Sequence, residues 1–303
     1  MKIVFVANNK NNRLARVLPR LEKHFRNLGR VQVLSTLREK HAIDLARGAS
    51  ENGCDYLIAV GGDGTLHEVI NGLMKSNLPT NIYPAIGLLP YGSANDFAKT
   101  ANISKALEVL VDLICAKSIR KVDLAKIILH KTGEIRYFIN IAGVGLGAEV
   151  AQNLAGSSSA LGAGFHYFKH ILEGFLKYSK KQVSCTGSTW QWKGPLLQLA
   201  VGNGRYFGHG ICIAPDASIT DGQFQVVIFG DLSIWDYLRN IRRLKKGVKI
   251  DHPGVWYHST REVLIESDDP CGIEADGEYV GLAPATITIL PKVIQFLMPM
   301  GVA

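Results

Sequence analysis

The run Gly61-Gly62-Asp63-Gly64-Thr65 brings glycines, a carboxylate and a hydroxyl together, a combination suited to phosphate chemistry. Glycine lets the backbone approach an anion closely. Where such a run opens a helix, backbone N–H groups and the helix dipole favour negative charge. The acid is the informative member, because a carboxylate repels phosphate unless a divalent cation stands between them. Asp63 therefore points to a metal–nucleotide complex rather than a bare phosphate site. A second run, Leu89-Pro90-Tyr91-Gly92-Ser93-Ala94-Asn95-Asp96-Phe97-Ala98, offers a tight turn, a hydroxyl, an amide and another acid. Alone it reads as an ordinary turn and helix cap. Beside the first run it supplies a second wall for a phosphate site.

Three more acidic positions bear on the chemistry. Asp123 opens an apolar strand, as a capping or salt-bridged acid or as a third carboxylate near a cation. Asp221-Gly222 precedes an apolar run and suits a hairpin turn, whose carbonyls and carboxylate also suit a hard cation. Ile273-Glu274-Ala275-Asp276-Gly277-Glu278 sets acids on both sides of a glycine. Its spacing describes a hairpin turn, and a carboxylate in a site also serves as general base toward a hydroxyl.

These residues need elements to hold them. Apolar runs near 2–7, 31–35, 55–60 and 84–89 alternate with helical patterns at 12–28, at 39–52 and from about 65. That alternation predicts a parallel sheet covered by helices, with both glycine runs at the carboxyl ends of strands, where such sheets bind ligands. From about residue 120 strand signals dominate, at 122–129, 137–141, 195–202, 224–229, 261–266, 284–290 and 293–298, the texture of an antiparallel second domain. The stretch 161–176 carries aromatic residues at helical spacing, as a core-packing helix or a lipid-facing one.

The 303 residues suffice for one large domain or two ordinary ones, and 47% hydrophobic content is ample for a core. No run approaches about 18 apolar residues, so no membrane span is expected. The apolar N-terminus is too short for a targeting signal and continues as a strand. Five scattered cysteines suggest reduced thiols in a cytoplasmic protein. The formal charge of +8 concentrates in the basic run 239–249. This run suits a solvated helix face or a surface that docks on an anionic membrane. No nucleic-acid motif accompanies it, so no nucleic-acid partner is expected.

In this order the segments resemble the soluble bacterial diacylglycerol-kinase-like lipid kinases, relatives of sphingosine and ceramide kinases. The matching pieces are Gly61 to Thr65 with Glu68, Gly92 to Ala98, Asn140 with Gly143-Val144-Gly145, Gly202-Asn203-Gly204, Pro215 to Gly222, and Asp276-Gly277-Glu278. The segment 192–229 is most similar to the phosphatidylglycerol/diacylglycerol kinase subgroup. The resemblance implies a three-layer α/β domain like that of NAD kinases and diacylglycerol kinases, over about 1–125, to which strands at about 289–303 return. A β-sandwich lipid domain over 126–288 follows, and a cleft between them holds ATP and the lipid headgroup. By the same resemblance Thr36, Gly61, Gly62, Asp63, Gly64, Thr65, Leu66, His67, Ser93 and Asn95 contact nucleotide. Asp63, Asp96 and Asp123 organise catalytic Mg2+. Ser218, Asp221 and Gln223 form a separate structural cation site. Asp276 is the catalytic base, with Glu278 beside it.

Two positions depart from the family pattern. Asn8-Asn9-Lys10-Asn11-Asn12 stands where Asn-Pro-x-Ser-Gly is common, and Ser93 stands where threonine is common, with the hydroxyl kept. The expectation is an ATP- and magnesium-dependent lipid kinase acting on a primary hydroxyl, peripheral to the inner face of the membrane, with monomer and homodimer both open. The first motif alone also fits an NAD kinase, and the altered loop at 8–12 fits a catalytically silent nucleotide or lipid sensor.

Overall fold

A computed structural model describes residues 1–9, 17–154, 173–174 and 177–301. They form two compact units, one of Met1–Asp123 with Pro291–Ala303 and one of Leu124–Leu290. In the first, β1 (Lys2–Ala7) is followed by α1 (Leu18–Phe25), β2 (Arg30–Ser35), α2 (His41–Glu51) and β3 (Tyr56–Gly61). Then come α3 (Asp63–Met74), β4 (Ala85–Pro90), α4 (Asp96–Thr100) and α5 (Leu107–Cys115). The strands pair in parallel in the order β2-β1-β3-β4. Every residue of β3 and β4 is buried, as in strands covered on both faces. The chain leaves β1 toward β2 and resumes with β3 on the other side of β1. Strand order therefore reverses between β1 and β3, and Gly61 ends β3 at that switch point, the usual place for a ligand.

The sequence pattern starts the helix after β3 near residue 65, whereas α3 begins at Asp63. Apolar periodicity begins only at Leu66 and is blind to a first turn made of Asp63, Gly64 and Thr65. An acid in that turn complements the helix dipole. Of the pattern at 12–28 the structure shows α1, and 10–16 lie outside the described residues. The aromatic stretch 161–176 also lies outside them, apart from 173 and 174.

The second unit opens with the rest of β5 (Ile119–Leu129), then β6 (Ile135–Phe138), β7 (Ile141–Gly145), α6 (Leu146–Leu154), β8 (Lys181–Thr186) and β9 (Gln191–Leu196). Next come β10 (Gln198–Gly202), β11 (Tyr206–Phe207), β12 (Ile211–Cys212), β13 (Phe224–Phe229), α7 (Ile234–Lys245) and β14 (Val255–Thr260). β15 (Glu262–Ser267), β16 (Gly272–Ala275), β17 (Glu278–Leu282) and β18 (Ala285–Leu297) complete the chain. One antiparallel sheet runs β14-β13-β10-β7-β16-β17, and facing it are the antiparallel strands β18-β15-β8-β9 of the sheet that β4 also joins. Val144, Leu199, Val226 and Ile273 of the first meet Val183, Val263, Ile265 and Ile287 of the second in one buried core. Burying each such side chain contributes about 1.5–3 kcal/mol. This is the β-sandwich the resemblance implies.

The two strands expected at 284–290 and 293–298 are one strand, β18. It pairs antiparallel with β15 through Ala285 to Thr288 and in parallel with β4 at Phe296. Pro291 falls between those two pairings.

Candidate active site

The two glycine runs of the first unit are bonded to each other. The Gly61 carbonyl accepts the N–H of Tyr91 at 2.8 Å and of Gly92 at 3.1 Å. A methyl group added at Gly92 would lie 2.2 Å from the Cα of Gly62, so the loops touch where neither carries a side chain. The Asp63 carboxylate accepts the N–H of Asp96 at 3.1 Å and of Phe97 at 3.0 Å. Asp63 thus caps α4 from another element, an arrangement no local sequence pattern encodes. The first bond of α3 is donated by Leu66 to the Gly62 carbonyl. Gly64 and Thr65 precede it, and their N–H groups have no acceptor within the helix.

Other expected nucleotide residues divide into two sets. Ser93 is exposed, whereas Leu66 is 1% exposed and packs in the core with buried His67. Asn95 spends its side chain inside its own loop, accepting the Gly92 N–H at 3.0 Å and donating to the Gly92 carbonyl at 2.9 Å. Thr36 directly follows β2, and its hydroxyl accepts the Asn9 N–H at 3.1 Å, tying the loop after β1 to this edge. Glu68 accepts the N–H of Ala42 at 3.0 Å in the first turn of α2.

The expected magnesium residues are hard carboxylates with protein partners. Asp96 is buried and pairs with Lys99 Nζ at 2.8 Å. Asp123 is 0% exposed, and its Oδ1 accepts the Lys292 N–H at 2.8 Å. Among the described residues no three His, Cys, Asp or Glu side chains group closely enough to hold a metal ion. Magnesium on a nucleotide usually takes only one or two carboxylates, its other ligands being phosphate and water. Asp63 and Asp96, joined through the Asp96 N–H, fit that smaller requirement.

In the second unit Asp276 and Gly277 form the two-residue turn between β16 and β17, with φ of +52° and +88°. Both central residues at positive φ define the turn that matches strand twist. The Asp276 carboxylate accepts three backbone N–H groups, from Ile139 at 3.1 Å, Asn140 at 3.0 Å and Ile141 at 3.2 Å. They fix its orientation at the start of β7, and Glu278 is exposed at the start of β17. Glu274, one strand face away, was not singled out by the sequence. It is 1% exposed, and its Oε2 accepts the Gly277 N–H at 2.8 Å. Burial pushes its carboxyl up to about 8, the Asp276 and Glu278 charges add to this, and the N–H groups of Gly277 and Gly143 oppose it. Its only sequence signal was a carboxylate at an inward strand position.

Asp221 Oδ1 accepts the Gln223 N–H at 3.0 Å, and the hydroxyls of Ser218 and Thr220 lie 3.3 Å apart, a polar turn before β13. Under the six-stranded sheet, Leu146, Val150, Leu197, Phe229, Tyr237 and Leu244 line a narrow apolar pocket, partly open to solvent.

Comparison with known proteins reaches both units. Residues 2–127 match the diacylglycerol kinase catalytic domain, and residues 140–298 match the YegS C-terminal NAD kinase beta sandwich-like domain. The chain is 34% identical to the probable lipid kinase YegS of Salmonella heidelberg, over 82% of this chain and 79% of that one. It is 28% identical to a diacylglycerol kinase of Staphylococcus haemolyticus, over 88% of this chain and 77% of that one. A crystal structure of a diacylglycerol kinase from Bacillus anthracis superposes with a TM-score of 0.71 at 19% identity, covering 100% of this chain and 98% of that one.

Proposed function

Because the chain belongs to the diacylglycerol kinase-like lipid kinase family and is a lipid kinase, we propose that it moves the γ-phosphoryl group of ATP to a primary hydroxyl of a membrane lipid such as diacylglycerol or phosphatidylglycerol. The observation that carries this reading is the pair of glycine loops bonded through Gly61 and clamped by Asp63. The N–H groups of Gly64 and Thr65 and the hydroxyl of Ser93 bind phosphate oxygens, and Thr36 approaches the nucleotide from the end of β2. Donors fixed before the reaction are usually the dominant contribution in phosphoryl transfer.

Asp63 and Asp96 would hold magnesium on the nucleotide, and Asp123 would act at one remove by fixing the backbone at Lys292. When bound, magnesium supplies neutralisation of phosphate charge. Asp276, oriented by its three N–H partners, accepts the proton of the lipid hydroxyl as that oxygen bonds to the γ-phosphorus and the bond from the γ-phosphorus to the β,γ-bridging oxygen breaks, releasing ADP. Glu274 braces the turn from behind, and Glu278 sits on its far side. The apolar pocket of the second unit suits an acyl chain. Ser218, Asp221 and Gln223 hold a structural cation in a separate turn.

The reading places the protein in the cytoplasm, peripheral to the inner face of an anionic membrane. Label from γ-labelled ATP, with magnesium and a panel of lipids in mixed micelles plus NAD, tests it. Label in one lipid establishes the reaction and names the headgroup. Label in NAD alone overturns the lipid reading, and ATP binding without transfer to any acceptor supports the sensor.

A further inference from the structure

α7 is docked on its own unit by one face and presents a different chemistry on the other. Tyr237 and Leu244 line the apolar pocket together with Leu232 and Ile250 from its flanks. The helix is closed at its start by a capping box, in which the Ser233 hydroxyl accepts the Asp236 N–H and Asp236 accepts the Ser233 N–H. Outward, Trp235, Arg239, Arg242 and Lys246 are all exposed. Their spacing of four, three and four residues stacks them into one stripe along a single face of the helix.

Trp235 is 67% exposed, the most exposed aromatic side chain among the described residues' large exposed hydrophobics. Trp190, Trp192 and Trp256 instead pack against the sandwich core. Arg243 and Lys245 flank the stripe, with Arg243 donating to the Lys249 carbonyl. The acids nearby are engaged elsewhere: Asp236 in the capping box, Asp231 with Lys180 and Asp216 with Lys249, while Asp251 lies beyond the helix. An indole at one end of an arginine and lysine stripe is the composition that sits at a bilayer surface. The cations meet anionic headgroups, and the amphipathic ring enters the interface.

We propose that the outer face of α7, through Trp235, Arg239, Arg242 and Lys246, is the surface that docks this protein on an anionic lipid bilayer, with Trp235 in the headgroup layer. This rests on the lipid-kinase reading for its biological sense, but not for its test. It also separates the members of the basic run: Lys249 is tied to Asp216 and to the face of Tyr257, so it is not part of the docking stripe.

The test uses the full chain and vesicles of phosphatidylcholine with or without about a third phosphatidylglycerol, read by co-sedimentation and tryptophan emission, with no turnover required. The expected result is binding to the anionic vesicles only, weakened by salt, with a blue shift that disappears in Trp235→Phe. Neutralising Arg239, Arg242 and Lys246 together to glutamine is expected to weaken binding about a hundredfold, at roughly fivefold per cation. Lysine at Arg239 and Arg242 is expected to restore it. Unchanged thermal melting and unchanged turnover of a detergent-dispersed short-chain lipid show that the variants fold. Equal binding by wild type and the triple glutamine variant overturns the proposal, as does equal binding to neutral vesicles. A dimer broken by the same substitutions with vesicle binding intact gives the face to a second copy and also overturns it. Failure of lipid phosphorylation with docking intact would remove the kinase reading alone.

Discussion

Replacing Glu274 by glutamine should change how the second unit responds to pH. The carboxyl is 1% exposed, and burial raises it from 4.5 to about 8. In the folded protein it keeps its proton across that interval, while in the unfolded chain it loses it near the ordinary value. Between those limits the folded state holds more protons, so stability falls as pH rises. The stabilisation is fully present below about 4.5 and gone once pH has passed about 8. At about 1.4 kcal/mol per unit, a shift of this size corresponds to roughly 5 kcal/mol, a large share of a typical domain's 5–15 kcal/mol. Glutamine keeps the shape and an acceptor for the Gly277 N–H but cannot ionise. Urea unfolding from pH 5 to 9, followed by tryptophan emission, isolates the effect, because all four tryptophans lie within Leu124–Leu290. The variant should be far less sensitive to pH than the wild type and more stable than it at pH 9. A constant difference between the two at every pH would refute the burial argument.

Gly92→Ala should separate the glycine loops, since the added methyl group meets the backbone of Gly62 at 2.2 Å. Overpacking of about 1–3 kcal/mol should weaken ATP binding about ten- to hundredfold by calorimetry. Asp63→Ala leaves the N–H groups of Asp96 and Phe97 without their acceptor and should cost about 1–3 kcal/mol in thermal unfolding. Wild-type stability would deny the clamp. For the cysteines, burial raises Cys54 and Cys271 to about 11 and Cys185 to about 12, and raises Cys212 as well, while Cys115 is exposed. A thiol reagent at pH 8 should therefore modify one cysteine rapidly in the native protein and all five in denaturant. Fast reaction at several thiols would contradict the buried placements.

The sequence made the first unit legible because its central strands are buried on both faces and read as unbroken apolar runs, each ended by a glycine or proline turn. The glycine turn at Gly61 was visible for the same reason. Its coupling to the second loop was not, because Asp63 reaches partners 33 and 34 residues away. Asp276 was legible through its turn and the family motif, whereas Glu274 was hidden. An inward carboxylate in a short strand looks like a solvated one until the opposing sheet is known. β8 and β14 were missed because Lys181–Thr186 and Val255–Thr260 mix polar and apolar residues without a sustained apolar run. The basic run was visible, but the alignment of Trp235 with three of its cations depended on where α7 begins.

Phosphoryl transfer by the wild type and by Asp276→Asn, measured side by side on the lipid that accepts label, tests the central claim most directly. Asn keeps the side-chain size, and melting temperature and ATP affinity report whether the turn survives the loss of a charged acceptor for its three N–H groups. The account predicts ATP bound with near wild-type affinity and a transfer rate lower by about a hundredfold to ten-thousandfold. Transfer within a few-fold of wild type would contradict it and remove Asp276 as the base.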